Sequence, residues 1–181
     1  MAKRAPIEVI RAGTVHPGKY LVLVAGSVAD VEEALQAGHE TASSAVRDAV
    51  FLANVHPGVV AAMRGARPRA TGEALGIIET DTVSATIEAA DAGLKGAQVQ
   101  LLELRLADDL GGKGYLLFDG PVAEVEAAVE IGASRIGAAS GSAAASGAPA
   151  AGLAWRVIAQ LHGEMAQNLA ADARFGARVR E

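Results

Sequence analysis

Residues 7–38, IEVIRAGTVHPGKYLVLVAGSVADVEEALQAG, return as residues 99–132, VQLLELRLADDLGGKGYLLFDGPVAEVEAAVEIG. Apolar runs, glycines and acidic positions come in the same order in both stretches. A second block, AVFLANVHPGVVAAM (49–63), returns as WRVIAQLHGEMAQNL (155–169). An internal repeat of this length decides the architecture before any single residue does, because both copies must build the same supersecondary unit.

The first blocks align at a constant offset of 94, from Gly18 and Gly112 through Val31 and Val125 to Gly38 and Gly132. IEVIRAG and YLVLVAG read as two strands around a Pro/Gly turn, and VQLLELRL and GYLLF are their counterparts. The next segment is helical in both copies: Val28, Val31 and Leu35, like Val122, Val125 and Val129, recur at three- and four-residue spacing. Ser27-x-x-Asp30 predicts a capped start, Pro121 the first helical position, and Gly38 and Gly132 the helix ends. AVFLA and WRVIA then read as strands, each followed by a histidine and a short helix, at an offset of 106. The difference between the offsets places a 12-residue insertion in the later copy, at GAASGSAAASGAPAAG (137–152). So few apolar side chains predict a flexible loop there, with an alanine-rich helix as the competing reading.

Residues 64–73, RGARPRATGE, join the modules. The later module opens with a strand, ALGIIET (74–80), and a helix, TVSATIEAADAGLK (82–95), whose Val83, Ile87, Ala90 and Leu94 share a face. The unit is therefore β-α-β-β-α-β with a terminal helix, an α/β (α+β) fold of two ferredoxin-like split β-α-β domains with helices on one side of each sheet. The domains are expected at 1–66 and 72–181. The first lacks its initial strand and most of its first helix, because the 94 offset pairs Met1 with Gly93, Lys3 with Lys95 and Ala5 with Ala97. The expectation is a natural start upstream of Met1; the alternative is a neighbouring element that fills the gap.

Apolar residues make up 51% of the 181, yet aromatics only 3%, which suits thin, closely packed layers and argues against a deep aromatic-lined pocket. A formal charge of −5, with no basic cluster, argues against nucleic-acid binding. Zero cysteines exclude disulfides, thiolate-ligated metals, cysteine-ligated iron–sulfur clusters and a cysteine nucleophile. MAKRAPIEV lacks the apolar stretch of a signal peptide and no run reaches membrane-spanning length, so a cytoplasmic protein without a membrane partner is expected. No nucleophile, base and orienting group form a convincing set, so an enzyme is not expected.

The later module, ALGIIETDTVSATIEAADAGLKGAQVQLLELRL with GGKGYLLFDGPVAEVEAAVEIGA, resembles a bacterial microcompartment domain. It carries E-T at a strand end, E-A-A-D-A-x-x-K on a helix, a G-G-K loop and a V-A-x-V-x-A-A-V helix. The earlier module, in HPGKYLVLVAGSVADVEEALQAG and DAVFLANVHPGVVAAM, resembles the first domain of tandem-domain, trimeric shell proteins. The resemblance implies a structural shell protein of a microcompartment: a homotrimer forming a pseudohexameric tile, packed edge to edge with other shell proteins around encapsulated enzymes. Small metabolites would pass through its central pore. It also implies a pore built from Val15, His16, Pro17, Gly18 and Lys19 and from Asp108, Asp109, Leu110, Gly111, Gly112 and Lys113. Its tile-edge lysines would be Lys95 and, at the matching place, Lys3. The family's edge arginine is absent, for Asn54-Val55-His56 and Gln160-Leu161-His162 stand there. Some relatives place a cysteine where His16 stands and bind an iron–sulfur cluster; a chain without cysteine would not, and no cofactor is expected.

Three His16 side chains on a trimer axis could hold a metal or titrate near neutrality, but a solvated turn histidine lining a plain pore is the preferred reading, with no metal. His56 and His162 are in register through duplication and are expected to be structural, and His39 to be a surface residue near a helix end. Asp108-Asp109 reads as a solvated pore rim rather than a paired-carboxylate site, one that would disfavour anionic solutes unless Lys19 and Lys113 offset its charge, and GGKG (111–114) lacks P-loop spacing. Trp155 is expected to pack in the last strand and the tail, QNLAADARFGARVRE (167–181), to fray. The alternative function is an oligomeric ferredoxin-like small-molecule sensor or regulator, since fold alone does not separate the two.

Overall fold

A computed structural model describes residues 1–16, 18–70, 73–107, 110–139 and 152–170. Six strands and five α-helices follow in order among them: β1 (Glu8–Val15), β2 (Lys19–Ala25), α1 (Val28–Ala42), α2 (Pro57–Met63), β3 (Ala74–Thr80), α3 (Val83–Gly96), β4 (Gln100–Leu106), β5 (Gly114–Gly120), α4 (Val122–Ala139), β6 (Leu153–Ala159) and α5 (Gly163–Ala170). Both bulk readings of the repeat hold: each copy is a hairpin followed by a helix.

In the second domain the strands stand in the order β4-β5-β3-β6, every neighbour antiparallel. This is the split β-α-β arrangement expected from the sequence. Strand side chains alternate between faces, so Ile78, Leu116 and Phe118 point to the helical layer and are fully buried with Ala90 of α3 and Val125 and Val129 of α4. Glycines set the thickness of this layer. A Cβ on Gly93 would come within 2.5 Å of the Phe118 ring, and one on Gly76 within 2.7 Å of Val129 and 2.8 Å of Val125. The opposite face carries a smaller cluster of Leu75, Leu102, Leu117 and Leu161, on which Ala166 and Leu169 of α5 rest.

The first domain is a two-stranded sheet, β1 against β2, with α1. Ser27 caps α1 as expected, its Oγ accepting from the Asp30 amide at 3.3 Å. Gly38 does not end the helix, nor does Gly132 end α4: both lie inside longer helices. The reason for a small residue is close approach, since a Cβ on Gly132 would sit 3.0 Å from the Ala89 carbonyl, and one on Gly38 3.1 Å from the Met1 sulfur. Pro121 stands one place before α4, its carbonyl accepting from the Val125 amide at 2.9 Å, so it is a cap and not the first helical residue.

AVFLA (49–53) forms no strand. Its counterpart β6 hydrogen-bonds to β3 along its whole length, and no counterpart of β3 precedes β1 in the 181 residues, so AVFLA has no ladder to join. Trp155, expected to pack in the last strand, lies opposite Ile78 on β6, the edge strand of the sheet, and is 48% exposed. Residues 137–139 of the expected flexible loop continue α4. Residues 140–151 and the tail beyond residue 170 lie outside the described residues.

The first copy's terminal helix packs into the second domain's core. Val59 of α2 is fully buried in the cluster that holds Leu94 and Phe118, while Leu94 approaches to 3.1 Å of a Cβ placed on Gly58. Thus α2 is in sequence part of the first copy and in packing part of the second.

Candidate pore loops and domain junction

The two turns expected to form a pore meet. After β1 the chain turns at His16, which is exposed, and Gly18 takes a φ of +64°. After β4, Ala107 (φ 63°) starts the equivalent turn and Gly111 and Gly112 take φ of 65° and 84°, a region glycine enters without strain. The Ala107 amide donates to the Lys113 carbonyl at 2.9 Å and the Lys113 amide to the Leu110 carbonyl at 3.1 Å, closing the turn. Lys19 then lies across it, its Nζ donating to the Gly111 carbonyl at 2.9 Å. A side chain on Gly112 would collide with the Lys19 stem at 2.7 Å. Pro17, Asp108 and Asp109 lie outside the described residues.

Lys113 has a different environment from Lys19. Its Nζ is 3.1 Å from Asp81 and 3.6 Å from Glu79. The hydrogen bond and charge of Asp81, then the charge of Glu79, raise the Lys113 pKa above its ordinary value. Sequence reading missed both carboxylates. The signal was present in strand pairing, since the register that sets Thr80 opposite Gly114 brings the following Asp81 beside Lys113. The lysine therefore meets acid from its own domain, and Lys19 spends its charge on a carbonyl.

Lys95, the expected edge lysine, is held by Asp91 one turn back on α3, Nζ to Oδ2 at 2.5 Å, with the lysine side chain 42% exposed. Asp91 is buried, and its other oxygen accepts the backbone N–H of His56 at 2.7 Å. One carboxylate thus joins the junction between the copies to an exposed cation. His56 in turn caps α2, Nδ1 accepting from the Gly58 amide at 3.0 Å, and His162 faces the Glu164 amide in the same way at 3.4 Å. Both histidines are structural, as their duplication suggests. Thr82 and Asp48 add a second side-chain hydrogen bond across the junction. Lys3 is exposed in the turn formed by residues 1–4, and His39 in the last turn of α1.

A buried polar cluster went unseen in the sequence although Glu103 interrupts the apolar run LLELRL. Its Oε1 accepts from Arg67 Nη2 at 2.6 Å, Arg105 Nε at 3.1 Å and the Tyr115 hydroxyl at 3.1 Å. Burial first, then the charge of Glu103, raises the Tyr115 pKa. The cluster fastens the segment joining the copies to the sheet face.

Two shallow depressions accompany these features. One of about 240 Å³ lies beside Arg4, Glu33 and Glu40, and another of about 180 Å³ beside Glu79, Asp81 and Lys113. Both are smaller than the roughly 300–1,000 Å³ of a usual ligand pocket. Among the described residues no group of three or more His, Asp or Glu is placed to hold a metal, and no helix is long and apolar enough to cross a membrane.

The BMC domain family model matches residues 1–55 and again 74–148. The chain belongs to this family of structural bacterial microcompartment shell proteins, and carries its domain in tandem. It is 34% identical to the bacterial microcompartment shell protein PduT of Citrobacter freundii, over 76% of this chain and 74% of that protein. It is 30% identical to the carboxysome assembly protein CcmO of Synechocystis, over 76% of this chain and 51% of that one. A microcompartment protein of Desulfitobacterium hafniense of known crystal structure is 36% identical and superposes with a TM-score of 0.74, covering 92% of this chain and 87% of that chain. The repeat, the split β-α-β sheet and the family match agree on a shell protein with two domains.

Proposed function

We propose that three copies of this chain form a pseudohexameric tile of a microcompartment shell, with a central pore for small metabolites. The domains are 1–66 and 72–181, so three chains supply six modules. The observation that carries the reading is the contact of the two turns: Lys19 bonded to Gly111 puts equivalent loops of consecutive modules side by side, and rotation about one axis extends that contact around a ring. The pore rim is then His16, Pro17, Gly18 and Lys19 from one module and Asp109, Leu110, Gly111, Gly112 and Lys113 from the next. Asp81 and Glu79 temper Lys113, so the rim is less cationic than its lysines alone suggest.

Packing supports a ring as well. Val59 of α2 is buried against the next module in the same chain, whereas its counterpart on α5, Met165, is 51% exposed. A heterologous contact used once within the chain is available again between chains. Lys95, held outward by Asp91, and Lys3 face neighbouring tiles and other shell proteins at the tile edge, and the encapsulated enzymes are contacted on the inner face, in the cytoplasm of the cell. The function is structural, with no chemistry on the chain.

Light scattering coupled to size exclusion tests the reading directly: the expected mass is three chains, and negative-stain microscopy at higher concentration is expected to show flat sheets or tubes. A monomer that forms no sheets would overturn it.

A further inference from the structure

We infer that the pore mouth framed by these turns passes uncharged and cationic small solutes and turns anions away. The inference rests on the ring reading above and adds the charge class of what travels through it. An anion that enters a constriction must exchange hydration water for donors, either free cationic side chains or backbone amides aimed at it. Among the described residues of the two turns, both ammonium groups and three of the amides are already engaged. The Ala107, Leu110 and Lys113 amides donate to the Lys113, Ala107 and Leu110 carbonyls, so the second turn bonds to itself. The Lys19 ammonium donates to the Gly111 carbonyl at 2.9 Å, and that of Lys113 stands 3.1 Å from Asp81 and 3.6 Å from Glu79.

The carboxylates, by contrast, stay open to solvent. The side chains of Glu79 and Asp81 are 56% and 57% exposed, and with Lys113 they line the depression of about 180 Å³ beside the turn. Their two charges cancel those of Lys19 and Lys113, and the sequence of the same turn adds Asp108 and Asp109. Each chain therefore brings net negative charge to the mouth. Repetition about a three-fold axis sums that charge in a narrow opening, where walls of low dielectric concentrate the field. The two lysines show the kind of group such a mouth accepts, since each is a primary ammonium seated on oxygen acceptors.

The chain has no cysteine, so His16→Cys places a single thiol on the first turn, at an exposed position. The trimer fraction of this variant is treated at low ionic strength with a cationic and an anionic methanethiosulfonate reagent of similar size. The ratio of the two rates, normalised to the same ratio for an uncharged thiol free in solution, reads the local potential. Accessibility and acidity of the thiol cancel in it, because both reagents meet the same thiolate. The normalised ratio is expected to favour the cationic reagent at least about threefold. Adding Glu79→Gln and Asp81→Asn should lower it at least about threefold, whereas adding Lys113→Met should raise it. A merely structural disturbance would move both variants the same way. A trimer in which the anionic reagent is favoured, or in which the ratio ignores these substitutions, would overturn this inference and leave the ring reading standing. A chain that scatters light as a monomer would overturn the ring reading and this inference with it.

Discussion

Leu116 and Val22 occupy the same place in the two copies of one unit, yet one is fully buried and the other nearly half exposed. The sequences around them match in pattern, so the difference does not come from local preference. It comes from what lies across the sheet: β3 and α3 cover Leu116, and among the described residues no such strand and helix cover Val22. A strand pair with one helix makes only part of a hydrophobic layer, since apolar stabilisation follows the area removed from water. The same repeat is a closed four-stranded domain in one place and an open hairpin in the other.

The largest expected break in this comparison is truncation at those two positions. Leu116→Ala should cost about 2–5 kcal/mol by leaving a cavity in a filled core, and Val22→Ala less than about 0.5 kcal/mol; denaturant unfolding followed by the Trp155 fluorescence and by circular dichroism reads both. Equal losses would mean that the first domain has a covered face after all. Next comes the second matched pair. Val59→Ala should destabilise the chain by about 1–3 kcal/mol, whereas Met165→Ala should leave the unfolding midpoint of dilute chain in place and reduce the trimer fraction seen by light scattering.

A smaller effect is expected at the junction. Asp91→Ala leaves the His56 amide without its acceptor in a partly buried setting and should cost about 1–3 kcal/mol, with faster exchange of that amide. Lys95→Ala, which removes the partly exposed partner, should cost less than about 1 kcal/mol. The order of the two separates the carboxylate's role in joining the domains from its pairing with the edge lysine.

The smallest effect is a titration. Because the Tyr115 pKa is raised in the folded state, its neutral form is favoured by folding. The contribution is complete below the ordinary tyrosine value of about 10 and is lost as pH rises through the folded value. Glu103→Gln should move the phenolate absorbance transition of Tyr115 downward, in a Tyr20→Phe background, without returning it to the ordinary value, since burial is the leading cause. A transition unmoved by the substitution would place the whole effect on burial.

Much of the fold was legible because it rests on periodicity. The apolar run GYLLF and the three- and four-residue spacing in VAEVEAAVE are imposed by the strand and helix themselves, and the repeat supplies each twice, as YLVLV and VADVEEALQ in the first copy. The structural reading of His56 and His162 followed from duplication, which explains paired residues without invoking chemistry, whereas their place as helix caps came from the structure. Errors arose where a partner decides the outcome. AVFLA has the composition of a strand and no ladder to enter; Gly38 and Gly132 have the composition of helix ends and are contact points instead. Trp155 was expected to pack in the last strand and is half exposed there, on the edge of the sheet. Of the candidate pore residues, the turns were placed by sequence, but the carboxylates that engage Lys113 come from another strand and are visible only through its register.

The sequence by itself determined that the chain is a duplicated β-α-β-β-α-β unit with an incomplete first copy, because side-chain period and turn chemistry are properties of neighbouring residues. Tertiary structure alone decided that α2 belongs to the second core, that Asp91 ties His56 to Lys95, and that the matching faces of the two copies differ in exposure. Those outcomes depend on which surfaces meet in space, and burial and hydrogen bonding are settled by the partner across the gap.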